Sequence, residues 1–319
     1  MAGKAAGDPQ GSGPTIRFAG IGDEAAVSLP GQVGSLARLG WTSIELRTVD
    51  DTAVADLDDE AFARLVDTLR TQGLEVVCVA SRIGNWSRPI SGDFAEDLHE
   101  LDVLERRCAT LGTRYVRVMS YPNAGLAERE WGRRAVERLR RLAGRAEQAG
   151  LVLVHENCAG WAGTQPERML ALLEAVDSPA LRLLFDTGNG VAHRYDAYDL
   201  LTQIVEHVAH VHIKDAEGSA PQPVYTLPGA GRARVADCLR LLLDRGYTGS
   251  WSIEPHLALQ PHVAGARQPG NGAARVGVGH RDSFVASGQA LERLVREQVL
   301  PTFPQWTTGV GGLVHRRTR

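Results

Sequence analysis

Four short apolar segments in the second half of the sequence each end in a side chain that can bind a metal ion or move a proton. These side chains are Glu156, Asp186, His212 and Glu254. Because parallel strands deliver their carboxyl ends to one face of a sheet, strands in these places would bring all four together. Three carboxylates and one imidazole suit Mn²⁺, Mg²⁺, Co²⁺ or Zn²⁺, so the sequence predicts a site for one divalent metal.

A divalent ion would also relieve the repulsion inside such a group. Carboxylates crowded at short range raise one another's pKa, and a cation among them removes that effect. The alternative interpretation is that the four are ordinary strand-end residues that hydrogen-bond to loops. Their recurrence at the ends of four successive apolar segments favours the metal site.

The elements that must position these residues alternate between short apolar strands and amphipathic helices. We predict eight strands, over residues 15–22, 43–47, 74–80, 115–119, 151–154, 181–185, 209–213 and 250–253. Apolar residues at helical spacing predict a helix after each strand, the last over residues 287–299. Eight such units predict a single-domain α/β fold, the (β/α)8 TIM barrel. A doubly wound sheet is disfavoured because Gly20-Ile-Gly22 lacks the third glycine of GxGxxG.

The predicted barrel domain covers residues 15–300, with a disordered segment at 1–14 and a C-terminal tail at 301–319. Two loops within it, 217–234 and 256–287, are unusually long and rich in Gly and Pro. Long loops without regular structure in a compact domain are usually functional or disordered. Because both follow strands that supply candidate ligands, we expect them to form a flexible cover over the site.

Bulk composition disfavours several classes of function. The 319-residue chain has a formal net charge of −3 and a pI near 6.4, which gives no electrostatic reason to expect nucleic acid or a membrane surface as a partner. The four cysteines are scattered without a CxxC pair, as in a reduced protein. We find no signal peptide or membrane-spanning segment in the sequence, so we predict a cytoplasmic location.

Five short motifs extend these observations. They are HEN at 155–157, DTGN at 186–189, HVHIKD at 210–215, Gly229-Ala-Gly231 and IEPH at 253–256. In this order and spacing, over nearly the whole chain, the sequence resembles the xylose isomerase-like barrel superfamily, in its sugar phosphate isomerase/epimerase branch. The resemblance implies a TIM barrel in which the four residues named first bind one divalent metal ion, with Mn²⁺ as the first candidate.

The ketose 3-epimerases of that superfamily suggest a reaction. Their metal-bound glutamates on strands five and eight lie on opposite faces of the substrate, where one removes a proton beside the carbonyl and the other returns one. Glu156 and Glu254 match those positions. The resemblance therefore implies an isomerase or epimerase that acts on a sugar, keto-sugar or related polyol through an enediolate.

Other polar residues are candidates for contact with the substrate. We assign this role to Glu45, Arg47, Trp86, His155, Asn189, Lys214 and His256. Trp86 would stack on a sugar ring or cap the barrel mouth. Strand alternation points His155 away from Glu156, so it would reach the substrate only if the strand end twists, and otherwise it lies behind the sheet. Ketose 3-epimerases have a histidine where this chain has Asn189, and an arginine near the position of Lys214. Apurinic endonucleases of the same fold need further histidines after strands three and four, and this chain has none there.

Three points stay open at this stage. The chain also resembles inosose dehydratases and the barrel subunits of C-glycoside deglycosidases, which are lyases; a deglycosidase would need a small β-sandwich partner subunit, whereas other relatives are often homo-oligomers. A non-catalytic sugar-binding barrel is the alternative from another class, although Glu156 and Glu254 argue against it because binding needs no proton shuttle. A phosphate on the substrate is signalled only weakly, by Gly229-Ala-Gly231.

Overall fold

The computed structural model describes residues 15–218, 220, 222–257 and 280–316. The segment expected to be disordered, 1–14, lies outside the described residues, as do 258–279 of the second long loop and 317–319 of the tail. Within the described part of the chain, no helix is long and apolar enough to cross a membrane.

Eight parallel strands form the barrel that the sequence predicts. They are β1 (Thr15–Gly20), β2 (Ser43–Leu46), β3 (Glu75–Ala80), β4 (Tyr115–Ser120), β5 (Val152–Gly160), β6 (Leu181–Asp186), β7 (Val208–Ile213) and β8 (Ser250–Ile253). Neighbours pair in the order β1-β8-β7-β6-β5-β4-β3-β2, and a parallel bridge between Ile21 and Glu45 joins β1 to β2. The carboxyl ends of all eight strands therefore open on the same face.

The principal helices lie around this barrel. They are α1 (Leu29–Leu39), α2 (Asp59–Thr71), α3 (Phe94–Leu111), α4 (Glu128–Gln148), α5 (Pro166–Val176), α6 (Ala197–Ile204), α7 (Val235–Asp244) and α8 (His280–Leu294). Short helical turns lie at Gly22–Glu24, Val54–Asp56, Asn189–His193, Val205–His207 and Leu300–Thr302. The last predicted helix differs most, because α8 is already helical at His280 and continues into a π-helical turn, Val295–Val299.

Helix ends follow the capping chemistry of the sequence. Asp58, Asp93 and Asp196 precede α2, α3 and α6, and each side chain accepts a hydrogen bond from a backbone N–H in the first turn. Gly40 and Gly112 end α1 and α3 in the left-handed conformation, with φ of 66° and 74°. These signals therefore mark where the chain leaves each helix for the next strand.

Two apolar layers support the polar ends of the strands. A small cluster, separate from the main core, consists of Ala19, Val77, Cys78, Val154 and Leu184. Val154 and Leu184 precede Glu156 and Asp186 by two residues and share their face of the strand. The opposite face of the sheet packs against the helices in one continuous core. The candidate ligands therefore lie directly above an apolar floor.

The C-terminal segment differs from the predicted tail. Trp306–Gly309 and Gly312–His315 form an antiparallel hairpin whose second strand pairs with β1. Trp306 and Leu313 are buried in the main core. The hairpin covers the edge of β1 at the amino-terminal end of that strand, before the bridge to β2. Burial of Trp306 and Leu313 stabilises the hairpin in this position.

Gly312 lies so close to β1 that it leaves no room for a side chain. A Cβ atom there would stand 2.0 Å from the carbonyl oxygen of Ile16, so Gly312→Ala should displace the hairpin and lower the free energy of unfolding by about 1–3 kcal/mol. Gly309→Ala is the matched control, because its Cβ would meet only side-chain atoms of Val314, the nearest at 3.2 Å. Urea unfolding followed by tryptophan fluorescence measures both variants, and equal midpoints would contradict this packing.

Candidate active site

The four predicted ligands converge at the carboxyl ends of β5 to β8. One donor atom from each of Glu156, Asp186, His212 and Glu254 lies within 4.8 Å of the others, and all four residues are buried. Nδ1 of His212 lies 3.5 Å from Oε2 of Glu254 and 3.9 Å from one oxygen each of Glu156 and Asp186. The structure therefore brings the predicted set together, and metal binding by this set stays a prediction.

His212 is held in place by a carboxylate behind it. Its Nε2 lies 3.0 Å from Oε1 of Glu45, and the other oxygen of Glu45 lies 2.8 Å from Nε2 of His210. With Nε2 protonated, His212 donates to Glu45 and presents Nδ1, a buried atom without a hydrogen-bond partner, to the cluster. Histidines that bind metals usually donate their other N–H to a carboxylate in this way, so these residues fit a divalent ion.

Asp186 is fixed by hydrogen bonds from two motifs. Its Oδ1 accepts hydrogen bonds from the backbone N–H groups of Gly188 at 2.7 Å and Asn189 at 2.8 Å. The side chain of Asn157 accepts from the backbone N–H of Asp186 at 2.6 Å and donates to its carbonyl at 2.9 Å. These hydrogen bonds between the HEN and DTGN motifs hold the end of β5 against the end of β6. They leave Oδ2 of Asp186 facing His212.

The electrostatics of the cluster favour a cation at its centre. Burial lowers the pKa of His212, but the charges of Glu45 and Glu254 outweigh burial and raise the pKa well above its ordinary value. For Asp186, burial is the largest influence; Lys214 opposes it, the neighbouring glutamates add to it, and the pKa rises to about 6. Surroundings that favour a proton on His212 this strongly also favour a metal ion there.

Each glutamate of the cluster is paired with a buried arginine. Nη1 of Arg117 donates to Oε2 of Glu156 at 3.0 Å, and Nη1 of Arg47 donates to Oε1 of Glu254 at 2.8 Å. Nδ2 of Asn189 donates to the other oxygen of Glu156 at 3.0 Å. Burial raises the pKa of both glutamates, yet the nearby cations outweigh burial, so both pKa values lie below the ordinary value and both side chains are ionised.

Arg47 also links Glu254 to the end of β1. Its Nη2 donates to Asp23 at 2.8 Å and to Glu24 at 3.0 Å. Glu24 in turn accepts from both the backbone N–H and Nδ1 of His256, each at 2.7 Å. The backbone of His256 is left-handed, with φ of 51°, a conformation that persists in such a residue only where the surroundings hold it. The two hydrogen bonds to Glu24 stabilise His256 in this conformation.

Lys214 is the third cation beside the cluster. Its Nζ lies 2.7 Å from Oε2 of Glu254, 2.9 Å from Oδ2 of Asp186 and 3.3 Å from Nε2 of His256. The contact with Asp186 is an ion pair without the alignment of a hydrogen bond. Burial lowers the pKa of Lys214, but Asp186 and Glu254 outweigh burial and raise the pKa well above its ordinary value. The side chain is therefore an ammonium.

The glycine motif after β7 binds a carboxylate of the chain itself. Oδ2 of Asp215 accepts from the backbone N–H groups of Gly229 at 2.9 Å and Gly231 at 3.0 Å, while Oδ1 accepts from Ala216 and Ala233. A Cβ at Gly231 would lie 2.3 Å from Oδ1 of Asp215. The N–H groups that had suggested a weak phosphate-binding signal are therefore already used.

The described part of the first long loop contains regular structure close to the site. Asp215–Glu217 and Val224–Thr226 form a short antiparallel hairpin. Half-buried Tyr225 packs edge-on against His256, with ring centroids 4.9 Å apart. An aromatic side chain that the sequence did not single out thus lies beside the cluster, and movement of the loop over a substrate stays a prediction.

Two of the predicted substrate contacts are placed differently from expectation. Glu45 is fully buried behind His212, so it supports a candidate ligand. His155 alternates with Glu156 and lies on the other face of β5; its ring nitrogens are buried without partners, and burial lowers its pKa to about 4. Trp86 is half-buried in the loop after β3, and its stacking on a sugar stays a prediction. The remaining four lie beside the cluster: Arg47, Asn189, Lys214 and His256.

Sequence reasoning missed three charged residues of the site. Asp23 and Glu24 lie in the short turn Gly22–Glu24 just after β1, at the same face of the barrel as the candidate ligands at the ends of β5 to β8, so the same rule would have selected them. Arg117 lies within the mostly buried strand β4, and a charge inside a buried strand is a signal in its own right, because it must find a buried partner.

Comparisons with solved structures agree with this architecture. D-psicose 3-epimerase from Clostridium cellulolyticum H10 superposes with a TM-score of 0.70 at 15% identity, over 89% of this chain and 99% of that one. A xylose isomerase-like TIM barrel protein from Mycobacterium smegmatis, in complex with magnesium, gives 0.60 at 19% identity, over 87% and 98% of the two chains. At these identities the likeness shows the fold alone.

Sequence relatives include a dehydratase and an epimerase. The inosose dehydratase of Clostridium perfringens is 28% identical over 144 residues, 40% of this chain and 48% of that protein, so the chain spans about half the length of this relative. The 2-epi-5-epi-valiolone 7-phosphate 2-epimerase of an Actinoplanes species is 30% identical over 232 residues, 72% of each chain. The model of one family matches residues 33–273. The chain belongs to that family, the xylose isomerase-like TIM barrel.

Proposed function

We propose that this protein is a divalent-metal-dependent isomerase or epimerase that acts on a sugar, keto-sugar or related polyol. The observation that carries the proposal is the pair of buried, ionised glutamates, Glu156 and Glu254, grouped around the unpartnered Nδ1 of His212. Proton transfer beside a carbonyl uses a carboxylate as acid or base together with a cation. The similarity to an epimerase over 72% of the chain supports the same conclusion.

The metal would be held by the four residues that converge at the ends of β5 to β8: Glu156, Asp186, His212 and Glu254. Mixed oxygen and nitrogen donors suit Mn²⁺, with Mg²⁺, Co²⁺ and Zn²⁺ as alternatives, and one structural neighbour is in complex with magnesium. When bound, the ion supplies positive charge that acidifies a proton beside a carbonyl and stabilises the negative charge that its removal leaves.

The two glutamates would hold and move the protons. Each keeps one oxygen on an arginine, since Arg117 contacts Oε2 of Glu156 and Arg47 contacts Oε1 of Glu254. The opposite oxygens lie toward His212. Because both carboxylates are ionised, either can accept a proton. The nearby cations, chiefly Arg117 for Glu156 and Lys214 for Glu254, lower the affinity of each carboxylate for that proton, so that the proton is readily given back.

A second candidate is a lyase, in which the same proton abstraction ends with the loss of a hydroxyl group. The matches to inosose dehydratases favour it. The ammonium of Lys214 lies 2.7 Å from Glu254, where it could donate a hydrogen bond to a departing oxygen. Epimerisation is placed first because the similar epimerase matches 72% of this chain, against 40% for the inosose dehydratase.

Uptake of solvent deuterium tests the proposed reaction. In D₂O with Mn²⁺, we expect a ketose, inosose or 3-keto-glycoside to gain deuterium at the carbon beside its carbonyl. Glu156→Gln and Glu254→Gln should each slow this exchange by at least about 100-fold, because a general base contributes that much to catalysis. NMR of the products identifies the labelled carbon and distinguishes an epimer from an eliminated product.

The control for this experiment is Glu75→Gln. Glu75 is the first residue of β3, at the end of the strand opposite the site, and its side chain is 67% exposed. This variant should exchange at the wild-type rate. A protein that binds Mn²⁺ but exchanges none of the compounds would contradict the epimerase proposal and favour a missing partner subunit or a sugar-binding role.

Glu45 tests the metal centre separately from the reaction. Glu45→Gln keeps the shape of the side chain but removes the negative charge that holds the Nε2 proton of His212. We expect the affinity for Mn²⁺ to fall by about 10–100-fold, the usual effect of losing such a supporting group. Isothermal titration calorimetry measures the affinity, with Glu75→Gln again as the control. An unchanged affinity would show that Glu45 does not position the ligand.

A further inference from the structure

Lysine is almost absent from this chain, yet one lysine lies in the candidate active site. Of the 35 basic residues only Lys4 and Lys214 are lysines, and the others are arginines. Lys214 follows β7 and is 2% exposed. An ammonium is a compact point charge on a flexible stem, whereas a guanidinium is a rigid planar fork. Lys214 therefore differs from the arginines of the chain in that its charge is compact and movable.

The segment directly after β6 positions Lys214. The hydroxyl of Thr187 donates to the carbonyl of Lys214 at 2.6 Å and accepts from its backbone N–H at 3.0 Å. A Cβ at Gly188 would stand 2.6 Å from Cγ and 2.8 Å from Cβ of Lys214, so this glycine leaves the space that the lysine stem fills. The segment that fixes Asp186 thus also positions Lys214.

The ammonium contacts the same oxygen atoms that the candidate metal would use. Oε2 of Glu254 and Oδ2 of Asp186 lie 3.5 and 3.9 Å from Nδ1 of His212, and 2.7 and 2.9 Å from Nζ of Lys214. Two cations that shared these oxygens would lie close together in a buried site, where repulsion is strong. The ammonium and a divalent ion therefore compete for them.

We propose that Lys214 is an exchangeable counter-ion, which neutralises Asp186 and Glu254, releases both when a divalent metal binds, and then turns its ammonium toward the substrate. This inference rests on the proposed metal-dependent function. Arg47 contacts the other oxygen of Glu254, so it keeps its place during the exchange. The substrate-binding role expected for Lys214 thereby becomes a consequence of metal binding.

Half-buried Tyr225 marks a direction in which Lys214 can turn, because its ring packs edge-on against His256, whose Nε2 lies 3.3 Å from Nζ of Lys214. Burial lowers the pKa of His193, and the charge of Lys214 lowers it further. Burial raises the pKa of Tyr225 to about 12, against the opposing charge of Lys214. Both groups are therefore uncharged near neutral pH. An ammonium that moved toward them would meet polar groups and not another cation.

Acylation of lysine followed by mass spectrometry tests the exchange directly. Apart from the amino terminus, only Lys4 and Lys214 carry a reactive amine, so Lys4 is the internal reference. With a chelator present, Lys214 should be protected. With Mg²⁺ bound, it should react at least about tenfold faster, because the rate follows the population in which the amine is accessible. An unchanged rate at Lys214 on metal binding would overturn the proposal.

Metal affinity gives an independent measurement. Lys214→Met removes the competing charge and should tighten Mn²⁺ binding about tenfold or more, the size of coupling found between close charged pairs. Lys214→Arg keeps the charge and should not tighten binding, and Lys4→Met controls for loss of the other lysine. Isothermal titration calorimetry measures all three. Weaker binding by folded Lys214→Met would show that the lysine supports the ion, which is the opposite of this proposal.

These outcomes separate the exchange from the proposed function. A wild-type protein that binds no divalent metal contradicts both. A protein that binds the metal while Lys214 stays equally protected keeps the metal centre and loses only the exchange. If Lys214→Met does not fold, acylation of the wild-type protein decides the matter alone.

Discussion

Burial of carboxylates at the mouth of the barrel is the constraint on which the rest of the site depends. Those that are almost fully buried include Asp23, Glu24, Glu45, Glu156, Asp186 and Glu254. An unpaired buried charge is costly, and each of these has a basic side chain in contact: Arg47, Arg117, Lys214, His210 or His212. Because removing one partner would leave another charge unpaired, the network fixes its members more tightly than apolar packing alone.

Neutralisation is therefore a weaker argument for a metal ion than the sequence suggests. Repulsion among three carboxylates favours a divalent ion, but Arg47, Arg117 and Lys214 already supply positive charge. The better argument is geometric, because Nδ1 of His212 is buried, lacks a hydrogen-bond partner and faces three carboxylates. Buried polar atoms are nearly always satisfied, and an ion bound by this group would satisfy this one.

The alternation of strands and helices in the sequence was enough to predict the barrel. It also predicted that Glu156, Asp186, His212 and Glu254 converge, because the carboxyl ends of parallel strands lie on one face of a barrel regardless of the side chains they carry. The supporting residues depend on which side chain faces which, and sequence spacing does not determine that. Glu45 looked like a sugar contact, yet it lies between two histidines of β7. The capture of the Gly229 and Gly231 N–H groups by Asp215 depends on how the loop returns to the strand, which composition alone does not reveal.

The cations beside the two glutamates, chiefly Arg117 for Glu156 and Lys214 for Glu254, limit what these carboxylates can do by themselves. A carboxylate whose pKa is lowered by a neighbouring cation is a weak base, and a proton beside a carbonyl is only weakly acidic. Transfer between them is unfavourable unless the negative charge that develops on the substrate is stabilised as the proton leaves. Arg47, Arg117 and Lys214 lie next to these glutamates, and a divalent ion would add to the same field. Catalysis at such a site would depend on stabilising substrate charge, which is also why weak bases suit it: they give the proton back.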